Sequence, residues 1–179
     1  FETSMKLRTL LTLLFLVTNT LALKGANPAL KAASAVVTPL LRPIYKLEAP
    51  LQAKVTSLLS SQDEAQIKAE LDAQTSSAPC VVYTYALSPF STEALAILDA
   101  SGADYEKREL GLEWFLLGPK ESAVRSLLGD MTGQTSLPHV FIGGEWVGGL
   151  CSGGSNGGGI SALAESGELE QKLKAARAL

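Results

Sequence analysis

The sequence is poor in the residues that build disulfide scaffolds and metal centres, with two cysteines and one histidine among 179 residues. Two cysteines form at most one disulfide bond and cannot supply a four-cysteine zinc site. Charged residues make up only 18% of the chain, and no cluster of Lys and Arg marks a surface for phosphate backbones. The composition therefore excludes a disulfide scaffold and argues against a nucleic-acid partner.

Apolar residues make up 46% of the sequence, which is enough to fill the core of one domain. The charge is distributed unevenly along the chain. Residues 1–47 carry six Lys or Arg and a single acid, Glu2, whereas residues 48–179 carry nine Lys or Arg and 17 acids. The basic beginning and the acidic remainder are therefore predicted to have different roles.

Residues 1–22 have the pattern of a secretory signal peptide. Met5 is the expected start, and the four residues before it are interpreted as an upstream remnant. Two basic residues then precede a short apolar run at 10–17, and small residues at 20–22 suit a signal peptidase. The run is well below the roughly 20 residues that cross a bilayer, so we expect cleavage and no membrane span in the mature protein.

Residues 23–47 contain no acid and spread four basic residues among Ala, Ser, Thr and Pro. This composition is typical of transit peptides. Behind a signal peptide it resembles the bipartite leaders of algae with complex plastids. Such leaders often have an aromatic residue after the cleavage site, where this chain has Leu23 or Lys24. Import into a plastid and a basic linker in a secreted or luminal protein therefore both remain open.

Residues 48–77 are predicted to form a helical extension. Polar residues at 60–62 divide it into two short helices, and its apolar residues fall near helical spacing, at Leu51, Val55, Leu58, Leu59, Ile67 and Leu71. The pattern leaves open whether these helices pack on the domain that follows.

Residues 78–179 alternate strand and helix signals. Strands are expected at 81–85, 104–110, 139–142 and 145–147, and helices at 89–101, within 112–131 and at 160–178. Ser88 and Pro89 form a helix start, a hydroxyl N-cap followed by proline, and Gly143 with Gly144 forms a hairpin turn. This order predicts an α/β, thioredoxin-like domain with a mixed four-stranded sheet flanked by helices.

Four motifs, taken in order, resemble the glutaredoxin family across about the last hundred residues. They are a strand running into Ser-Pro-Phe-Ser at 88–91, Ser-Leu-Pro at 136–138, the Gly-Gly hairpin, and Gly148-Gly149 with Cys151 shortly after. At these places the family has Cys-Pro-aromatic-Cys or Cys-x-x-Ser, Thr-Val-Pro and Gly-Gly-Cys-Asp. The resemblance implies glutathione as a ligand and a cis bond between Leu137 and Pro138.

The departures from the family concern its thiols. Ser88 stands where the family's nucleophilic cysteine stands, and Ser91 where its resolving cysteine stands. A helix N-terminus stabilises a thiolate, whereas a serine hydroxyl stays protonated near neutral pH and forms no disulfide. We therefore expect both catalytic positions to be inactive. Iron–sulfur assembly would lose its main ligand too, and no metal is expected.

The ligand site that the resemblance implies is only partly retained. Its predicted contacts are Tyr85, Phe90, Gln134, Leu137, Pro138, Gly149, Cys151 and Ser152. Tyr85 replaces the family's lysine and its aspartate is missing, so both charged anchors are absent. Backbone groups of Leu137 are expected to pair with an extended peptide, and Gln134 with the N–H groups of the last helix to hold a carboxylate. The glycine-rich run after Cys151 is expected to be a flexible loop.

Three functions follow from these residues. The favoured one is a module that binds glutathione or an extended peptide without thiol chemistry, and the alternatives are a weak oxidoreductase using Cys151 and a scaffold subunit. Cys151 is alternatively a small buried residue, and Cys80 lies at the far end of the first strand, too distant for a disulfide. A hydrolase using Ser88 and His139 lacks the necessary acid. Apolar residues 114–117 are expected to pack in the core or to dock a protein partner.

Overall fold

The computed structural model describes residues 61–111 and 119–179, together with the isolated residue Ala32. The predicted signal peptide, the remainder of segment 23–47, the first helix of the extension and apolar residues 114–117 lie outside the described residues. The described ranges form a mixed sheet with helices on both faces.

Strands and helices follow one another in the predicted order. The helices are α1 (Ser61–Thr75), α2 (Pro89–Ala100), α3 (Pro119–Thr132), α4 (Gly159–Ser166) and α5 (Glu168–Ala176). The strands are β1 (Cys80–Thr84), β2 (Glu106–Glu109), β3 (His139–Ile142) and β4 (Glu145–Gly148). Within residues 61–111 and 119–179, no helix is long and apolar enough to cross a membrane.

The sheet has the strand order β2-β1-β3-β4. β1 runs parallel to β2 and antiparallel to β3, and β3 is antiparallel to β4. Gly143 and Gly144 in the turn between β3 and β4 have positive φ angles of 61° and 79°, which glycine adopts without steric cost. The predicted mixed four-stranded sheet is confirmed, with strand ends shifted by one or two residues.

The edge strand β2 consists entirely of charged residues, Glu106 to Glu109. Two ion pairs join alternate residues on this strand: Lys107 Nζ lies 2.9 Å from Glu109 Oε2, and Arg108 Nη2 lies 2.6 Å from Glu106 Oε1. Its side chains alternate between half-buried and exposed, as expected for a strand at the rim of a sheet. β2 therefore contributes backbone pairing to β1 and little apolar surface.

Two apolar clusters fill the space on either side of the sheet. On one face, α2, α4 and α5 cover the sheet, with Cys80, Val82, Ala94, Leu98, Val140, Ile142, Ile160, Leu163, Leu169 and Leu173 buried. On the other face, α1 and α3 cover it, with Ile67, Leu71, Val81, Tyr83, Val124, Leu127, Leu128 and Phe141 buried. Burial of both faces explains why β1 is apolar almost throughout and lacks alternation.

Helix α1 packs on the sheet, which answers the question that its sequence left open. Ile67 and Leu71 lie in the cluster beneath α1 and α3. The Tyr83 hydroxyl lies 3.3 Å from Gln74 Oε1, to which it donates a hydrogen bond that anchors the end of the helix. α1 is therefore part of the folded domain and extends it before residue 78.

The last helix differs from the prediction of one helix over 160–178. Gly167 adopts φ 77°, ends α4 as its C-cap and stands at the start of α5. The left-handed conformation at this glycine redirects the chain, so that Leu163 before it and Leu169 after it both reach the same core. Periodicity alone did not reveal the break because the apolar spacing on both sides remains helical.

We predict that Leu71→Ala lowers the free energy of unfolding by about 2–5 kcal/mol, because Leu71 is 1% exposed and its removal leaves a cavity between α1 and the sheet. Lys68→Ala, on the exposed side of the same helix, is the matched control and should change stability by less than about 0.5 kcal/mol. Chemical denaturation measures both. Equal effects would show that α1 does not contribute to the core.

Candidate functional site

Three loops meet at one end of the sheet. Ser88 follows the end of β1, Pro138 directly precedes β3, and Gly149 directly follows β4. β3 is antiparallel to both β1 and β4, and Tyr83 pairs with His139. The three positions therefore lie at the same end of the sheet. We call them the serine loop (residues 85–88), the proline loop (133–138) and the glycine loop (149–158).

Ser88 is the N-cap of α2, as predicted. Its backbone is extended, with φ −80° and ψ 117°, and its Oγ accepts a hydrogen bond from the Ser91 N–H at 3.2 Å. Pro89 occupies the first turn, where its missing N–H costs nothing. Ser88 is half-buried, and its hydroxyl is bonded to the helix. Capping of α2 is therefore a sufficient structural role for this serine.

Ser91 and Phe90 support the same turn from within. Ser91 is 1% exposed, and its Oγ accepts a hydrogen bond from the Tyr85 N–H at 3.3 Å. Phe90 is half-buried and packs against the cluster formed by α2, α4 and α5. The Ser91 hydroxyl therefore ties the end of β1 to α2 and is withdrawn from solvent.

The proline loop contains the predicted cis bond between Leu137 and Pro138. Gln134 holds this loop to the glycine loop: its Nε2 donates to the carbonyls of Ser136 at 2.8 Å and Pro138 at 3.2 Å. Its Oε1 accepts a hydrogen bond from Ser152 Oγ at 2.9 Å. The structure thus gives the Gln134 amide three internal partners, which differs from its expected role in holding a carboxylate.

The first N–H groups of α4 are also occupied by the chain itself. The N–H groups of Gly159, Ile160 and Ser161 donate to carbonyl oxygens of the glycine loop at 2.9–3.1 Å. A helix N-terminus attracts anions through N–H groups that lack partners, and here those three groups have them. The expectation that this helix start holds a carboxylate is therefore not supported by the geometry.

The glycine loop is closely packed, in contrast to the flexible loop that its composition suggested. A β-bridge joins Gly153 to Gly158, and Asn156 Oδ1 accepts a hydrogen bond from the Gly158 N–H at 3.0 Å. A Cβ on Gly149 would lie 2.9 Å from the Pro138 carbonyl oxygen, so a side chain there would force the backbone to shift. Glycine is required in this loop for close backbone approach as well as for turn formation.

The two cysteines are free and differ in environment. Cys80 is fully buried at the start of β1, and desolvation raises the pKa of its thiol to about 12. Cys151 is half-buried, with Sγ 3.6 Å from Ser161 Oγ. Cys151 packs against the apolar cluster of α2, α4 and α5 but is only partly buried, whereas its neighbour Leu150 is 3% exposed.

His139 is a buried neutral side chain. It is 0% exposed, its Nδ1 lies 3.4 Å from Thr132 Oγ1, and its ring centroid is 6.1 Å from that of Trp146. Burial lowers the pKa of His139 to about 4. His139 is thus buried within the domain, and its contacts do not support the interpretation of Ser88 and His139 as a hydrolase site.

Sequence reasoning missed three side chains that organise these loops. Arg125 is 3% exposed and donates from Nε to the Thr135 carbonyl at 3.0 Å, behind the proline loop. Thr132 Oγ1 accepts a hydrogen bond from the Gln134 N–H at 3.2 Å. Asn156, which bonds within the glycine loop, had a recognisable signal, because Asn between glycines is typical of turns.

Other candidate sites lie away from these loops. A cavity of about 360 Å³ opens between α1, β2 and α3, over Leu71 and Tyr83 and beside Lys120. In the part of the chain that the structure describes, no group of three or more His, Cys, Asp or Glu could hold a metal ion.

Comparison with known proteins identifies similar chains. The family model described as Glutaredoxin matches residues 80–147. A glutaredoxin of Ricinus communis is 36% identical over 77 residues, which cover 43% of this chain and 71% of the relative. A chloroplastic glutaredoxin of Oryza sativa subsp. japonica is 36% identical over 73 residues, which cover 41% of this chain and 51% of the relative.

Solved structures show the same architecture. The holo form of a glutaredoxin from Populus tremula x tremuloides has a TM-score of 0.57 at 27% identity, covering 66% of this chain and 96% of that one. A buckwheat glutaredoxin–glutathione complex has a TM-score of 0.55 at 23% identity, covering 68% of this chain and 99% of that one. The second likeness concerns the fold alone.

We predict that Gly159→Ala destabilises the protein by about 2 kcal/mol more than Gly157→Ala. Both glycines have positive φ, 61° and 70°, so both substitutions carry a similar backbone cost of about 1 kcal/mol. A Cβ at position 159 would overlap the Gly149 carbonyl oxygen, whereas nothing lies within 4 Å of one at position 157. Chemical denaturation of the two variants tests this, and equal losses would contradict the close packing of the glycine loop.

The pKa of His139 predicts a pH effect on stability. Its folded pKa of about 4 lies below the ordinary value of 6.5, so the unfolded chain binds a proton that the folded chain excludes. The resulting stabilisation, roughly 3 kcal/mol, is complete above pH 6.5 and is lost as the pH falls from 6.5 to 4. Proton NMR resolves this single histidine, and a folded-state ring titrating near pH 6.5 would refute the prediction.

Proposed function

This chain belongs to the glutaredoxin family, and we propose that its folded domain is a module that binds glutathione or an extended peptide without the family's thiol chemistry. The observation that carries the proposal is the pair Ser88 and Ser91, at the positions where the family has cysteines. Both hydroxyls bond to the backbone around the start of α2. The turn is retained while its reactive group is replaced.

The replacement removes the first step of the family's reaction. In thiol–disulfide exchange a thiolate attacks one sulfur of a disulfide, forms a mixed disulfide and releases the other sulfur as a thiolate. A serine oxygen forms no such bond and stays protonated near neutral pH. Ser88 therefore supports the helix and leaves this end of the sheet available for binding.

Two observations support ligand binding at the three loops. The ladder between β1 and β3 ends at Tyr83 and His139, so the main chain of Leu137 lies beyond the paired region. An extended peptide gains main-chain hydrogen bonds when it is added beside such a segment. The fold is also that of a buckwheat glutaredoxin solved in complex with glutathione.

A second candidate function is weak oxidoreductase activity through Cys151. This thiol is half-buried in the glycine loop and lies beside Ser152, which is bonded to Gln134. It therefore belongs to the same group of loops as the proposed ligand site. A third candidate, a scaffold subunit, would use the fold without any ligand, and residues 114–117 would be its proposed contact with a protein partner.

The chloroplastic rice relative supports a plastid location for this protein. Together with the signal-peptide pattern of residues 1–22 and the acid-free segment 23–47, it favours delivery through the secretory pathway into a plastid. Secretion or retention in a lumen is the alternative. Both destinations require cleavage of the signal peptide. Sequencing the natural amino terminus tests this shared step, because a protein that begins at Met5 would exclude cleavage.

We predict that the unmodified protein shows negligible glutathione-dependent reduction of a mixed glutathione disulfide and that Ser88→Cys gains measurable activity. The introduced thiol would meet the N–H groups at the start of α2, which lower the pKa of a cysteine. It would take the glutathionyl group from the substrate and pass it to a second glutathione, giving oxidised glutathione. Since both charged anchors are missing, the variant should show a raised KM for glutathione. Adding Tyr85→Lys, which restores the family's lysine, should lower that KM.

Thr92→Cys is the matched control, because it places a thiol on the exposed side of the same helix one turn further on. It should remain inactive, whereas equal activity in the two variants would show that any added thiol suffices. Activity in the unmodified protein that Cys151→Ser abolishes would instead establish the oxidoreductase candidate.

A further inference from the structure

Resting on the proposed function, we infer that the three loops select an uncharged, extended stretch of polypeptide and discriminate against free glutathione. Glutathione carries two carboxylates and one ammonium group at neutral pH, whereas a segment within a protein chain presents only neutral main-chain groups.

The loops contain no ionic side chain. Asp, Glu, Lys and Arg are all absent from residues 85–92, 133–138 and 146–164. These ranges include the serine loop, the first turn of α2, the proline loop, the glycine loop and the start of α4. These segments therefore supply no cation of their own with which a carboxylate could pair.

The nearest charged residues along the chain on either side of these ranges are all acidic. They are Asp72, Glu93, Asp130, Glu145 and Glu165. Glu145 is paired with Lys172 at 3.4 Å and lies at the β3–β4 turn, at the opposite end of the sheet from the loops. Arg125, the cation next to the proline loop, is 3% exposed and bonded to the Thr135 carbonyl. Within residues 61–111 and 119–179, the chain segments that form and flank these loops therefore present no exposed cation to an anion.

Several neutral groups that could hold a carboxylate are engaged inside the protein. Three N–H groups at the start of α4 bond to carbonyls of the glycine loop. The Gln134 amide is bonded to Ser136, Pro138 and Ser152. A carboxylate could recruit these donors only by breaking bonds that hold the loops together, which costs more than it gains.

The groups that remain suit a neutral peptide. Leu87 is 51% exposed beside Ser88 and gives the serine loop an apolar side chain at the surface. Phe90, two residues after Ser88, is half-buried, and the main chain of Leu137 lies beyond the β1–β3 ladder. Main-chain pairing with an apolar contact requires no charge on either partner.

Calorimetric titration of the full chain tests the inference with matched probes. Glutathione diethyl ester keeps the backbone and thiol of glutathione but carries no carboxylate, and an acetylated, amidated hexapeptide of apolar residues carries no charge. We expect the ester and the capped peptide to bind at least tenfold more tightly than glutathione at low salt. Tighter binding of glutathione than of its ester would overturn the inference and leave the binding module intact. Failure of all three probes to bind would overturn the proposed function itself.

A pair of variants at an exposed position provides an independent test. Leu87→Lys adds a cation beside Ser88, whereas Leu87→Gln removes the same apolar surface without adding charge. The lysine variant should bind glutathione about three- to tenfold more tightly than the glutamine variant, with the gain reduced by added salt. Equal glutathione affinities of the two variants would mean that charge does not control selection at these loops.

Discussion

The hydrogen bonds between the carbonyl oxygens of the glycine loop and the first N–H groups of α4 determine how this end of the protein is built. Through them the chain leaving β4 turns back on the helix that it is about to enter. The same turn presents Ser152 to Gln134, and Gln134 holds the carbonyls around the cis proline. Because each loop holds the next, the proline and glycine loops are expected to respond together when either is disturbed.

Much of the fold was accessible from the sequence, because its elements have local signals. Ser88 followed by Pro89 begins α2, the glycine pair at 143–144 forms the hairpin, and the buried strands have recognisable composition. The break at Gly167 was missed, because one glycine within a continuous apolar period is ambiguous between a tolerated residue and a C-cap. Whether Gly167 ends the helix depends on where the apolar residues that follow it pack.

The loop bonds were less predictable than the elements, for a physical reason. The partners of α4 are backbone carbonyls, which every residue has, so no side-chain pattern distinguishes a helix start closed by its own chain from one left open for an anion. The role of Gln134 is equally hard to predict, since a side-chain amide can either contact a ligand or form hydrogen bonds within the protein. The absence of Asp, Glu, Lys and Arg from these loops was evident from the sequence, whereas the hydrogen bonds of Gln134 and of the α4 N–H groups required the structure.

The composition of β2 has a consequence for the protein at high concentration. An edge strand exposes unpaired backbone groups, on which a strand from a second molecule can add and start an aggregated sheet. On β2 such a strand would have to approach four consecutive charged residues and disturb the pairs Lys107–Glu109 and Arg108–Glu106. Those residues contribute little to the core, but among the described strands they protect the edge at which the outermost strand is parallel to its neighbour. The cost of forming intermolecular sheet there helps the folded chain to stay dispersed.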